Sequence, residues 1–97
     1  MERFVYLNNL YDFYKELFTD KQRLYFEDYY WNNLSLGEIA INYEVSRNAI
    51  HNQLKIIEDK LLELEDKFKL FEKREKIIEL LNGNVSEELL ERIKNLL

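Results

Sequence analysis

The chain holds no cysteine and no proline in its ninety-seven residues, and only two glycines. Without cysteine there is no disulfide framework, no thiolate zinc site and no redox thiol. Without proline, and with so little glycine, nothing divides the chain into the short turn-linked runs that strands need, and every long window repeats at about 3.6 residues. The expected fold class is all-α. Long hydrophobic runs are missing too. The opening MERFVYLNNLYDFYKEL is interrupted by Arg3, Asn8, Asn9, Asp12 and Lys15, so neither a signal-peptide core nor a span of about 20 apolar residues is read there. That predicts a cytoplasmic protein with no membrane insertion. An excess of positive charge is lacking as well: the net charge is −5, whereas DNA binding draws most of its affinity from cations that neutralise phosphates.

What is present suffices for a core. Hydrophobic residues make up 46% of the chain and aromatics 14%, with 34% charged residues to keep the outside wet. A chain this short rarely supports two independent cores, so residues 1–97 are expected to form a single helical domain. The first helix, about residues 2 to 18, carries Phe4, Leu7, Tyr11, Tyr14 and Phe18 at spacings of three and four, with Leu10 and Leu17 widening the stripe. Thr19 and Gln22 form a capping box that opens a second helix to about Asn32, with Leu24, Tyr25, Phe26, Tyr29, Tyr30 and Trp31 around more than half its circumference. The Asn32-Asn33 pair ends it, because Asn tolerates a left-handed backbone.

A second capping box, Ser35 and Glu38, opens a short helix through about Tyr43, and Ser46 caps the next, leaving only Glu44 and Val45 between them. A link that short forces a fixed, sharp crossing. From Arg47 no breaker appears until Asn82-Gly83, which predicts one long helix over about 47–82. Within it Ile57, Leu61, Leu64, Phe68 and Phe71 continue a four-three repeat from Ile50 and Leu54. A helix projecting beyond a small core exposes too much apolar surface alone, so these five are expected to form a self-association seam in a homodimer. Ser86 caps a short terminal helix over about 87–97, with Leu89, Leu90, Ile93, Leu96 and Leu97 on one face.

The segment SLGEIAINYEVSRNAIHNQL, within about 35–56, has the spacings of a helix-turn-helix. Ala40 lies where the helices cross most closely; Ile39, Tyr43, Val45 and Ile50 fill the wedge between them. Arg47, Asn48, His51, Asn52 and Lys55 are left on the outer face, and most of these side chains can contact base edges or phosphates. Glu44 stands where such turns often carry glycine. The charge count opposes the DNA reading: Glu38 and Glu44 balance Arg47 and Lys55, and residues 57 to 82 hold eight acids against six bases. There is no basic stripe. His51 is the only histidine, so a metal or proton-relay site lacks partners, and the aromatics at helical spacing read as core. With no Gly-rich phosphate loop, nucleophile elbow or paired catalytic acids, the chain is read as no enzyme, with no catalytic, cofactor-binding or metal-binding residues, no cofactor and no small-molecule substrate.

Residues 10 to 68, LYDFYKELFTDKQRLYFEDYYWNNLSLGEIAINYEVSRNAIHNQLKIIEDKLLELEDKF, closely resemble the YlxM family of small bacterial proteins. The likeness rests above all on Leu10-Tyr11-Asp12-Phe13-Tyr14, Thr19-Asp20-Lys21-Gln22, Ser35-Leu36-Gly37-Glu38-Ile39-Ala40 and Tyr43-Glu44-Val45-Ser46-Arg47. The middle is also similar to region four of bacterial sigma factors. The resemblance implies a sigma-region-four-like helix-turn-helix domain with a long C-terminal helix and a short terminal helix. It also implies a regulatory protein encoded beside genes of the signal recognition particle and acting in that pathway. Two readings stay open: contact with signal recognition particle components, or sequence-specific DNA binding as a dimer.

Overall fold

The computed structural model describes all of residues 1–97 and is helical throughout, without a strand. The helices are α1 (Arg3–Tyr14), α2 (Asp20–Tyr30), α3 (Leu36–Tyr43), α4 (Arg47–Phe68), α5 (Leu70–Leu81) and α6 (Glu87–Leu96), and a single 3₁₀ turn (Lys15–Leu17) follows α1. The caps form where the sequence places them. Thr19 Oγ1 accepts from the Gln22 N–H at 3.2 Å while Gln22 Oε1 accepts from the Thr19 N–H at 3.0 Å. Ser35 and Glu38 repeat the exchange at 3.1 and 3.0 Å. Ser46 and Ser86 each accept one N–H, from Ala49 and Leu89. Asn33 takes the left-handed backbone, with φ 55°, that lets the chain leave α2, and Gly83, with φ 80°, does the same between α5 and α6.

Two cores result, and α4 belongs to both. One gathers Leu7, Leu10, Tyr11, Tyr14 and Phe18 with Phe26 and Tyr30 of α2 and Ile57 and Leu61 of α4. Its centre is an aromatic stack, Tyr11 on Phe26 and Phe26 on Tyr30, each at 4.1 Å between centroids, with Phe4 on Tyr30 at 4.5 Å. Such pairs add about 0.5–1.5 kcal/mol each beyond the area they bury. The other packs Tyr25, Ile39, Ala40, Ile50 and Leu54, and Tyr29 touches both. Four of the seven tyrosyl hydroxyls donate to carboxylates. Tyr11 donates to Glu27 at 2.6 Å, Tyr30 to Glu58 at 2.6 Å, Tyr14 to Glu65 at 2.7 Å and Tyr43 to Asp28 at 3.0 Å. Burial, followed by these carboxylate bonds, holds the Tyr11 and Tyr30 hydroxyls well above the ordinary tyrosine range. The same causes push Tyr14 up to about 12.

Several expectations need correction. The first helix stops at Tyr14 rather than about residue 18 and tightens into the 3₁₀ turn. At about 3.0 residues per turn the helical phase changes, so Leu17 is 55% exposed while Phe18 stays buried. On α2 the apolar arc is narrower than expected, with Leu24 and Trp31 exposed. The helix expected over 47–82 is two helices, divided at Lys69, whose φ of 55° and ψ of 33° are left-handed.

The self-association seam is divided as well. Ile57 and Leu61 are fully buried in the chain's own first core, Leu64 and Phe71 are half-buried against it, and Phe68 is exposed. The helix does not project beyond the core at Ile57 and Leu61, because α1 lies along it. The break explains the rest. Glu65, the one buried charged side chain at 6% exposure, turns its carboxylate onto the start of α5. Its Oε1 accepts from Tyr14 Oη at 2.7 Å and from the Phe71 N–H at 3.1 Å, and its Oε2 accepts from the Glu72 N–H at 3.0 Å. Tyr14 Oη in turn accepts from the Leu70 N–H at 3.1 Å. A break inside a helical run would normally leave the first amides of the new helix without acceptors. Here α1 and α4 supply them.

Candidate nucleic-acid interface

The helix-turn-helix consists of α3, a two-residue turn and the first half of α4. Ile39 and Ala40 of α3 face Ile50 and Leu54 of α4, all buried. Tyr25 of α2 closes the wedge from behind and meets Tyr43 edge-on at 5.0 Å. Val45, expected inside the wedge, is partly exposed at its rim. In the turn, Glu44 adopts φ 55° and ψ 43°, the left-handed state that glycine takes at no cost. The Val45 N–H reaches back to the Ala40 carbonyl at 3.0 Å and the Glu44 N–H to Ile41 at 3.3 Å, the paired bonds of a Schellman closure. Ser46 then caps α4. The crossing is fixed by hydrogen bonds on one side and by Ile39, Ala40 and Ile50 on the other.

With Ile50 and Leu54 turned inward, the opposite face of α4 is open. Arg47, Asn48, His51, Asn52 and Lys55 are all exposed on it. They share one face over two and a half turns and begin at the helix N-terminus, the end that favours an anion. Arg47 forms no ion pair within the chain, while Lys55 lies 3.7 Å from Asp59. Such exposed pairs are weak and open readily to a phosphate. His51 and Lys55 also border a shallow cleft with Tyr29, Leu36, Leu54 and Glu58.

Sequence reasoning missed the other flank. A groove of about 360 Å³ runs between the start of α2 and the first turns of α4, lined by Thr19, Lys21, Gln22, Tyr25, Val45, Ala49, Ile50 and Gln53. It sets Lys21, also without an ion-pair partner, beside Ala49 and Gln53 on the flank of α4. No spacing signal could have shown this, because Lys21 is 26 residues before Arg47 in sequence and comes to the flank of α4 only through the packing of Tyr25. Nowhere do three or more His, Asp or Glu side chains gather closely enough to hold a metal ion, and no helix is long and apolar enough to cross a membrane.

Residues 1–96 match the family described as "Putative helix-turn-helix protein, YlxM / p13 like". The chain belongs to this family. A UPF0122 protein of Geobacillus sp. (strain WCH70) is 48% identical over 82 residues, covering 84% of this chain and 74% of its own length. One of Bacillus thuringiensis (strain Al Hakam) is 43% identical over 91 residues, covering 91% of this chain and 83% of its own. One of Halalkalibacterium halodurans is 40% identical over 104 residues, covering 99% and 95%. As a YlxM-like protein the chain carries the likeness beyond Phe68, where the sequence motifs end, through α5 and α6.

Proposed function

We propose that this chain is a regulatory protein of the signal recognition particle pathway that works through its helix-turn-helix, with duplex DNA as the ligand of α4. It acts in the cytoplasm, as a homodimer whose two recognition helices read two half-sites. The observation that carries the DNA reading is the outer face of α4, where Arg47, Asn48, His51 and Asn52 stand clear of both cores. Arg47, Asn48 and Asn52 are suited to base edges, while Lys55 and Lys21, which border the clefts on either side of α4, are suited to phosphates. The pathway comes from the family resemblance over residues 10 to 68.

The net charge of −5 favours a second reading, in which the partner is a protein or ribonucleoprotein component of the particle. Two measurements separate them. Co-purification from lysate with and without nuclease shows whether nucleic acid bridges the contact. Fluorescence titration with the DNA upstream of the chain's own gene then tests α4 directly. Arg47→Ala is expected to cost about 1–3 kcal/mol and relax sequence preference, whereas Lys55→Ala weakens all sequences alike. Because few cations are free, the slope of log affinity against log salt is expected to be shallow. No binding at about 50 mM salt, where attraction is only lightly screened, removes DNA as the ligand and leaves the particle component.

A further inference from the structure

The break at Lys69 is unlike the other turns of this chain. Asn33, Glu44 and Gly83 each sit in a connection that caps or turn residues prepare. Lys69 sits alone between α4 and α5, in a run with helical character on both sides and an apolar repeat that continues across it through Leu64, Phe68 and Phe71. Locally, that sequence favours one straight helix, since a lysine loses energy in the left-handed state and loses almost none in a helix. The bend persists because α1 and the end of α4 hold it, through Tyr14 and Glu65 on the first amides of α5 and through the packing of Phe71 on α1. The Phe71 ring meets Tyr6 edge-on at 5.7 Å and Phe13 at 6.3 Å.

We propose that α5 and α6 form an exchangeable arm: the chain straightens at Lys69, and Phe71 docks between Tyr6 and Phe13 of a second copy, giving a reciprocal dimer. The occupant is fixed by the interface itself. Whatever seats on the Tyr6 and Phe13 face must present the apolar surface that α5 already presents there, and a second copy presents the same Phe71 ring on a straight α4. The straight form removes the left-handed residue, and the amides of Leu70, Phe71 and Glu72 find acceptors within the continuous helix. The seam read from the sequence thus becomes continuous only in the exchanged state. This inference is independent of the DNA reading, because it concerns the face of α1 and the arm and leaves Arg47, Asn48, His51 and Asn52 untouched.

Opposite substitutions at one exposed position test it. Lys69→Gly relieves the left-handed backbone and weakens the straight helix, while Lys69→Val does the reverse, since a β-branched residue is a genuine outlier at positive φ. By sedimentation over a wide range of protein concentration, Lys69→Gly is expected to disfavour the dimer by on the order of 100-fold per chain. Lys69→Val is expected to shift the dimer to concentrations at least about tenfold lower than for the unmodified chain. Equal helicity by circular dichroism shows that both variants are folded. Exchange is overturned if all three chains stay monomeric throughout, or if a dimer forms with the same affinity in all three, which assigns it to another surface. A misfolded Lys69→Val leaves the comparison of Lys69→Gly with the unmodified chain, in which unchanged association equally overturns it.

Discussion

Replacing Glu65 with Ala tests whether a single side chain holds the break between α4 and α5. The carboxylate accepts three hydrogen bonds, from Tyr14 Oη at 2.7 Å, Phe71 N–H at 3.1 Å and Glu72 N–H at 3.0 Å, and bonds to a charged group contribute about 1.5–3 kcal/mol each. Against that gross gain stands the cost of keeping a carboxylate at 6% exposure, which runs to several kcal/mol for a buried ion. Its deletion relieves that cost, and water reaching the half-exposed Glu72 relieves more. The net loss is expected to be about 2–4 kcal/mol, out of about 5–15 for a domain of this size. That corresponds to a fall of roughly 10–25 °C in melting temperature. Glu65→Gln keeps the shape and one acceptor and is expected to lose about half as much. Urea unfolding supplies the free energies, and a cycle with Tyr14→Phe supplies the coupling, expected at about 1 kcal/mol or more because Tyr14 donates directly to Glu65 while Tyr14 holds the Leu70 amide and Glu65 the next two. A loss below about 1 kcal/mol for Glu65→Ala would refute the reasoning, since water or the helix itself would then be satisfying those amides.

Glu44→Gly is expected to stabilise the chain by about 0.5–1 kcal/mol, because relief of the left-handed backbone exceeds the entropy that glycine adds to the unfolded chain. Chemical denaturation with an unchanged slope checks it, and destabilisation would mean that the Glu44 side chain contributes a contact of its own. The Glu38 carboxyl is held below its ordinary range by the Ser35 backbone N–H and then by the Ser35 side chain. A depressed folded pKa gives stability that is present above the unfolded value and lost as pH falls toward the folded one. Glu38→Gln keeps the capping box and is expected to flatten that part of the acid limb in thermal melts between about pH 5 and 3. Tyr11, Tyr14 and Tyr30 shift the other way: their contribution is complete below about pH 10 and lost as pH rises beyond it. The tyrosinate absorbance band and the loss of helicity are therefore expected to rise together in alkali.

The parts of this fold that were legible in the sequence are those fixed within a few residues of themselves. Thr19 with Gln22, Ser35 with Glu38, Ser46, Ser86 and Asn33 each act over one turn, and every one does in the structure what its neighbours imply. The helix-turn-helix was legible for the same reason, since Ala40, Ile50 and Leu54 need only two adjoining helices to define their buried side. The break at Lys69 was not, because its cause is Tyr14, 51 residues from Glu65, and the apolar repeat runs through it without a mark. The cover over two of the seam residues was illegible for the same reason: periodicity shows that Ile57 and Leu61 must be covered and not that α1 covers them. At the candidate interface the face of α4 was readable, whereas Lys21 was brought to its edge by tertiary packing alone.

That α4 is a member of both cores gives it a mechanical character. It is a stiff rod of about 33 Å, pinned by Ile50 and Leu54 at one end and by Ile57 and Leu61 farther along. A tilt of about five degrees about the pin at Ile57 displaces the end at Phe68, about 16 Å away, by about 1.5 Å, roughly half the length of a hydrogen bond. The far end is where Glu65 meets the first amides of α5, so a ligand that leans on the first turn of α4 is levering on the latch of the arm.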